Sequence, residues 1–95
     1  MGRDIRVESK HLVYHGSKSS DLIVAFDLFF SHFPRCDIGD DIFFNVYLSR
    51  KEMKQVLDFV KKDAAFYRDA DELLEKLNNI YVRMMPSDFV EVAIW

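Results

Sequence analysis

The chain has 95 residues, of which 49% are hydrophobic and 31% charged, and its formal net charge is −3. This composition excludes a disordered or low-complexity chain and suits one domain, residues 1–95, that hides roughly 60–65% of its unfolded surface. The charge is too mild to argue for a nucleic-acid mimic or against nucleic-acid contact, and the single cysteine, Cys36, excludes an internal disulfide.

The N-terminus lacks the pattern of a signal peptide and the Ser or Thr of a myristoylation signal. With one lone thiol, a reducing, cytoplasmic setting is expected. The longest apolar stretch, Leu22 to Phe33, is interrupted by Asp27 and is too short to span a bilayer, so no membrane partner is expected.

In chain order, Ile5 and Val7 alternate with Arg6 and Glu8 and read as a strand. Leu12 and Tyr14 continue it with opposite parity, which one strand accommodates with a bulge near Ser9-Lys10-His11. His15-Gly16-Ser17-Lys18-Ser19-Ser20 is a turn by composition.

Asp21 to Phe33 supports two readings. A strand would place Leu22, Val24, Phe26, Leu28 and Phe30 on one face; a helix would be capped by Asp21, stopped before Pro34, and carry a Leu22/Phe26/Phe29/Phe33 stripe. The strand is the reading adopted, because a turn separates two extended-looking runs.

After an Asp37-Ile38-Gly39-Asp40-Asp41 turn, Ile42 to Leu48 is the clearest strand. Ile42, Phe44, Val46 and Leu48 fall on one face, and Phe43, Asn45 and Tyr47 on the other. Ser49 and Glu52 form a capping box for a helix with a Met53/Val56/Leu57/Val60/Ala64 stripe. Asp69 and Glu72 open a second helix, carrying Leu73, Leu77, Ile80, Tyr81 and Met84 and stopped by Pro86. Phe89 to Trp95 is a final strand.

The expected fold is therefore α+β: an antiparallel sheet of about four strands with two helices on one face, in the order β-β-β-α-α-β, or β-α-β-α-α-β if residues 21–33 are helical. The expected core joins Phe44, Val46, Leu57, Val60, Leu73, Leu77, Ile80 and Val92. Two helices cannot cover both faces of such a sheet. The second face is left with Ile23, Phe29, Phe43, Tyr47, Phe89 and Trp95 among Asp27, Asn45 and Glu91. Charge also segregates: residues 1–20 and 49–68 are net basic, 21–48 and 69–95 net acidic.

Chemical motifs are weak. His32 and Cys36 are four apart, a spacing common in loops that lacks a third catalytic partner. His11 and His15 on a strand stand too far apart for one metal. Asp37, Asp40 and Asp41 lack the calcium-loop spacing, and Gly16-Ser17-Lys18-Ser19 lacks the full phosphate-loop pattern. Arg50, Lys51, Lys54, Lys61 and Lys62 make a basic helix face, but Glu52, Asp58 and Asp63 interleave, which argues against nucleic acid.

No catalytic residue, metal ligand or cofactor is assigned. The expectation is a non-catalytic domain that binds a protein partner or its own copy through the sheet, with Phe43, Tyr47, Phe89 and Trp95 as contact residues. A bacterial or phage immunity or inhibitor protein fits by analogy of size and composition. The rival is a small enzyme or ligand-binding domain with a pocket between helices and sheet.

Overall fold

The computed structural model describes residues 3–35, 38 and 43–95. Its elements are β1 (Ile5–Glu8), β2 (Val13–Gly16), α1 (Asp21–His32), β3 (Phe44–Ser49), α2 (Arg50–Lys62), a 3₁₀ turn (Ala64–Phe66), α3 (Ala70–Arg83) and β4 (Phe89–Ile94). The strands form one antiparallel sheet in the spatial order β2-β1-β4-β3. The class is α+β with a four-stranded sheet. The order is β-β-α-β-α-α-β, and three helices cover the sheet's core face.

Two segments depart from the sequence-based expectation. Residues 5–14 are not one bulged strand, because the chain reverses at Ser9. The Ser9 hydroxyl accepts from the backbone N–H of Leu12 at 3.0 Å, and the Ser9 N–H donates to the Leu12 carbonyl at 2.8 Å. A side chain that bonds its own backbone a few residues on is a turn-former. The parity switch between Val7 and Leu12 marks this reversal. His15 and Gly16 accordingly belong to β2 rather than to the following turn.

Residues 21–33 form a helix rather than a strand. Ser20, not Asp21, is the N-cap, its side chain accepting from the Ile23 N–H, and the helix ends at Phe33 before Pro34. Leu22, Ile23, Ala25, Phe26, Phe29 and Phe30 are all buried, a helical set that two-residue alternation cannot produce. Ile23 and Phe29, expected on the second face of the sheet, thus lie in the core. Asp21 takes another role: its carboxylate accepts from the N–H groups of Arg68 and Asp69, at 3.0 and 2.8 Å, just ahead of α3.

Gly16 is required where β2 meets α1. A Cβ there would lie 2.5 Å from the Ser20 Oγ and 3.0 Å from the Ile5 Cγ2. The turn between them has Ser19 at φ 72°, the left-handed region.

From Ser49 onward the expected elements stand. Ser49 Oγ accepts from the Glu52 N–H at 3.2 Å, and Glu52 accepts from the Ser49 N–H at 3.1 Å. Asp69 caps α3 by accepting from the Glu72 N–H at 3.1 Å. The α2 stripe stops at Val60, since Ala64 opens the separate 3₁₀ turn. At the far end of α3, Arg50 donates through Nε to the Met84 carbonyl at 3.0 Å, and its guanidinium lies 4.4 Å from the Tyr81 ring centroid.

The core lies between the helices and one sheet face. Val46, Leu57, Val60, Leu73, Leu77, Ile80 and Val92 are buried together, with Phe44 partly buried against them at the sheet edge. Phe26, Phe29, Phe30 and Phe59 add edge-to-face and stacked contacts that knit α1 to α2. Of the expected β3 strand, Ile42 lies outside the described residues, as do Asp37, Gly39, Asp40 and Asp41 of the preceding turn.

Two substitutions test this architecture by chemical denaturation. Ser49→Ala removes one arm of the capping box and should cost about 1 kcal/mol. Leu77→Ala, at a fully buried site, should cost roughly 2–5 kcal/mol through lost transfer energy and a cavity. An unchanged midpoint for Leu77→Ala would contradict the placement of α3 on the sheet.

Candidate interaction face

Strand alternation sends every second residue to the face that carries no helix. On β4 these are Phe89, Glu91 and Ala93, followed by Trp95, whose backbone pairs reciprocally with Asp4. On β3 they are Asn45 and Tyr47, with Phe43 just ahead. On β1 and β2 they are Arg6, Glu8, Val13 and His15.

The strand register turns these into rows. One row runs His15, Arg6, Ala93, Asn45; the next runs Val13, Glu8, Glu91, Tyr47. Phe89 lies beyond one end of this pair of rows. Phe43 and Trp95 lie beyond the other, next to the paired residues Phe44 and Ile94.

The four expected contact residues are all exposed: Phe43 45%, Tyr47 57%, Phe89 59% and Trp95 52%, with Val13 at 45%. The face thus has aromatic ends and a polar middle. Large side chains left this open are unusual for one sheet face, where apolar area is favourably hidden at about 25 cal/mol per Å².

The middle is organised by Glu91. Its carboxylate accepts from Arg6 Nη2 at 2.7 Å, from Asn45 Nδ2 at 3.1 Å and from the Tyr47 hydroxyl at 3.1 Å. The hydrogen bonds from Asn45 and Arg6 hold the Glu91 carboxyl below its ordinary range. The same carboxylate raises the Tyr47 phenol, since the hydroxyl must stay protonated to donate. Arg6 also lies 3.4 Å from Glu8 and 6.0 Å from the Trp95 ring centroid. Ala93, flanked in register by Arg6 and Asn45, is buried although it is on the open face. One carboxylate thereby fixes the side chains of three strands and pins Tyr47 by its hydroxyl.

Sequence reasoning found the aromatic residues but missed this network. The signal was present: Arg6, Asn45, Tyr47 and Glu91 share the parity of the open face. Their cross-strand register became visible once β1 was seen beside β4.

The remaining candidates do not converge. His32 sits in the last turn of α1, with Nδ1 3.0 Å from the Leu28 carbonyl and its ring against Phe59. Cys36 lies outside the described residues. His11 is in the β1–β2 turn, while His15 is on the sheet. Among the described residues, no group of three or more His, Cys, Asp or Glu is placed to hold a metal. The basic residues of α2 are partly engaged, Arg50 on α3 and Lys54 with Asp58 at 2.8 Å.

Surface clefts lie both at helix junctions and, beside Ile5, His15, Gly16 and Ser20, between the sheet and the start of α1. A polar one of about 190 Å³ is lined by Ser20, Asp21, Arg68, Glu72 and Lys76. A more apolar one of about 380 Å³ is lined by Leu28, Phe59, Phe66 and Tyr67, and sequence reasoning did not foresee it. No helix among the described residues is long and apolar enough to cross a membrane.

No family model matches the chain, and no curated protein or solved structure matches it.

The network makes a pH prediction. Glu91 has a lowered folded-state pKa, so its contribution is present above the ordinary carboxylate range and is lost as pH falls through the folded value. Glu91→Gln should therefore lessen the loss of stability on acidification relative to the parent, measured by denaturation at a series of acidic pH values. Parallel pH profiles for parent and variant would remove Glu91 from this role.

Proposed function

We propose that the chain is a non-catalytic protein-binding domain of the cytoplasm that works through the open face of its sheet. The observation that carries the reading is the grouping of Phe43, Tyr47, Phe89 and Trp95, all exposed, around the Glu91 network. Tyr and Trp are the preferred anchors of protein interfaces, because they offer large area at low conformational cost. Tyr47 is further restrained by Glu91, so less entropy is lost when a partner closes over it.

The mild charge of the face, with Arg6 set among Glu8 and Glu91, suits a protein surface better than a nucleic acid or an anionic membrane. An immunity or inhibitor role, in which the domain masks the working surface of another protein, is the narrower form of this proposal. It rests on analogy of size and composition. The second reading is a ligand-binding domain using the cleft beside Phe59 and Phe66, favoured by that cleft's apolar lining.

The test is capture from native cell extract with three baits: the parent, Tyr47→Glu and Trp95→Glu. Circular dichroism serves as the folding control. The proposal expects one protein to be retained by the parent and reduced tenfold or more on either folded variant, matching the usual loss of 2 kcal/mol or more at an anchor. Equal retention on all three baits would eliminate the face. Loss on Phe66→Glu with no loss on the sheet variants would favour the cleft.

A further inference from the structure

We infer that the protein seated on the open face is a second copy of this chain, packed sheet to sheet with its strands running in the opposite sense. This rests on the proposed use of the face and names its occupant.

The argument is the symmetry of the pattern. Along β4 the open-face residues are Phe89, Glu91, Ala93 and Trp95, with an aromatic at each end. Along β3 they are Phe43, Asn45, Tyr47 and Ser49. Two sheets apposed face to face and related by a two-fold axis can meet in two ways.

In the first, the axis runs across the strands, so each strand lies over its own copy reversed. Trp95 of one chain then covers Phe89 of the other. Tyr47 covers Asn45, Ala93 covers Glu91, and Arg6 meets Glu8. In the second, the axis runs along the strands, so β4 of one chain covers β1 of the other. Glu91 then faces Glu8, and like charges drawn out of water are costly. Charge complementarity selects the first arrangement, which also places aromatic against aromatic at both ends of β4.

The size fits a modest dimer. The sheet is about 20 Å wide at about 4.8 Å per strand; its six-residue strands β3 and β4 run about 20 Å and its four-residue strands β1 and β2 about 13 Å, at about 3.3 Å per residue. With both copies counted that footprint is below a standard interface and suits a weak, transient contact whose strength rests on the aromatic ends rather than on area. Arg6 and Glu91 stay paired within each chain and bring no unpaired charge into the contact.

The experiment has two parts, both on the whole chain. Sedimentation equilibrium from low micromolar to near-millimolar concentration gives the state of assembly. Nuclear Overhauser spectra of a mixture of isotope-labelled and unlabelled chains report contacts between copies. The expected result is a reversible dimer with inter-chain contacts from the Trp95 indole to the Phe89 ring. Trp95→Glu and Glu8→Arg should each weaken the dimer tenfold or more.

The inter-chain contacts are read on the parent, so they hold even if a variant unfolds. A monomer throughout the range overturns the inference. So do inter-chain contacts joining Tyr47 to Val13, or any that avoid the open face. A monomer whose sheet variants still lose a captured partner would leave the broader reading standing, with a different protein as occupant.

Discussion

β4 is the strand on which the rest of the molecule is registered. It lies between β1 and β3, so it joins the first strand of the chain to the hairpin of strand and helix formed by β3 and α2. Its two faces divide the labour. Val90, Val92 and Ile94 are at most 2% exposed and meet Val7, Ile5, Val46, Leu48 and Phe44 in the core. Phe89, Glu91, Ala93 and Trp95 point the other way. Because all three helices pack on the first face, the second has no intramolecular cover among the described residues. Strand parity makes this division strict: a slip of one residue would exchange Glu91 for Val90 or Val92 and bury a carboxylate.

The part of this organisation written in local signals was legible in the sequence. Ser49 and Glu52 announce α2, Asp69 announces α3, and the alternation in β3 and β4 separates core from open face. What was not legible depends on contacts distant in the chain. Asp21 to Phe33 is apolar at nine of its thirteen positions, so period-two and period-3.6 patterns both fit it. The three-dimensional choice comes from Phe29 and Phe30 finding Phe59 and Phe44. The β1–β2 reversal hid behind Ser9, whose side-chain bond does the work usually done by Gly or Asn in a turn. The two misreadings offset in strand count: one expected strand became two, another became a helix, and the sheet still has four. The Glu91 network was invisible for a related reason, since Arg6 and Glu91 are 85 positions apart.

The open face combines two opposing tendencies. Its aromatic ends favour association, while its central ion pair and hydrogen bonds are satisfied within the chain and gain little from being covered. That balance suits an interaction that forms and dissolves with concentration rather than an obligate assembly. It also accounts for a small domain that keeps a water-compatible middle on its open face while holding Tyr47 through its hydroxyl.

Trp95 is the chain's one tryptophan and sits at an end of this face, so its fluorescence reports directly on whether the face becomes covered. The decisive measurement is iodide quenching of that fluorescence as protein concentration rises from low micromolar to near-millimolar. The account predicts full quenching in dilute solution, and a blue-shifted, protected emission at high concentration. Emission that stays red-shifted and fully quenchable at every concentration would contradict it.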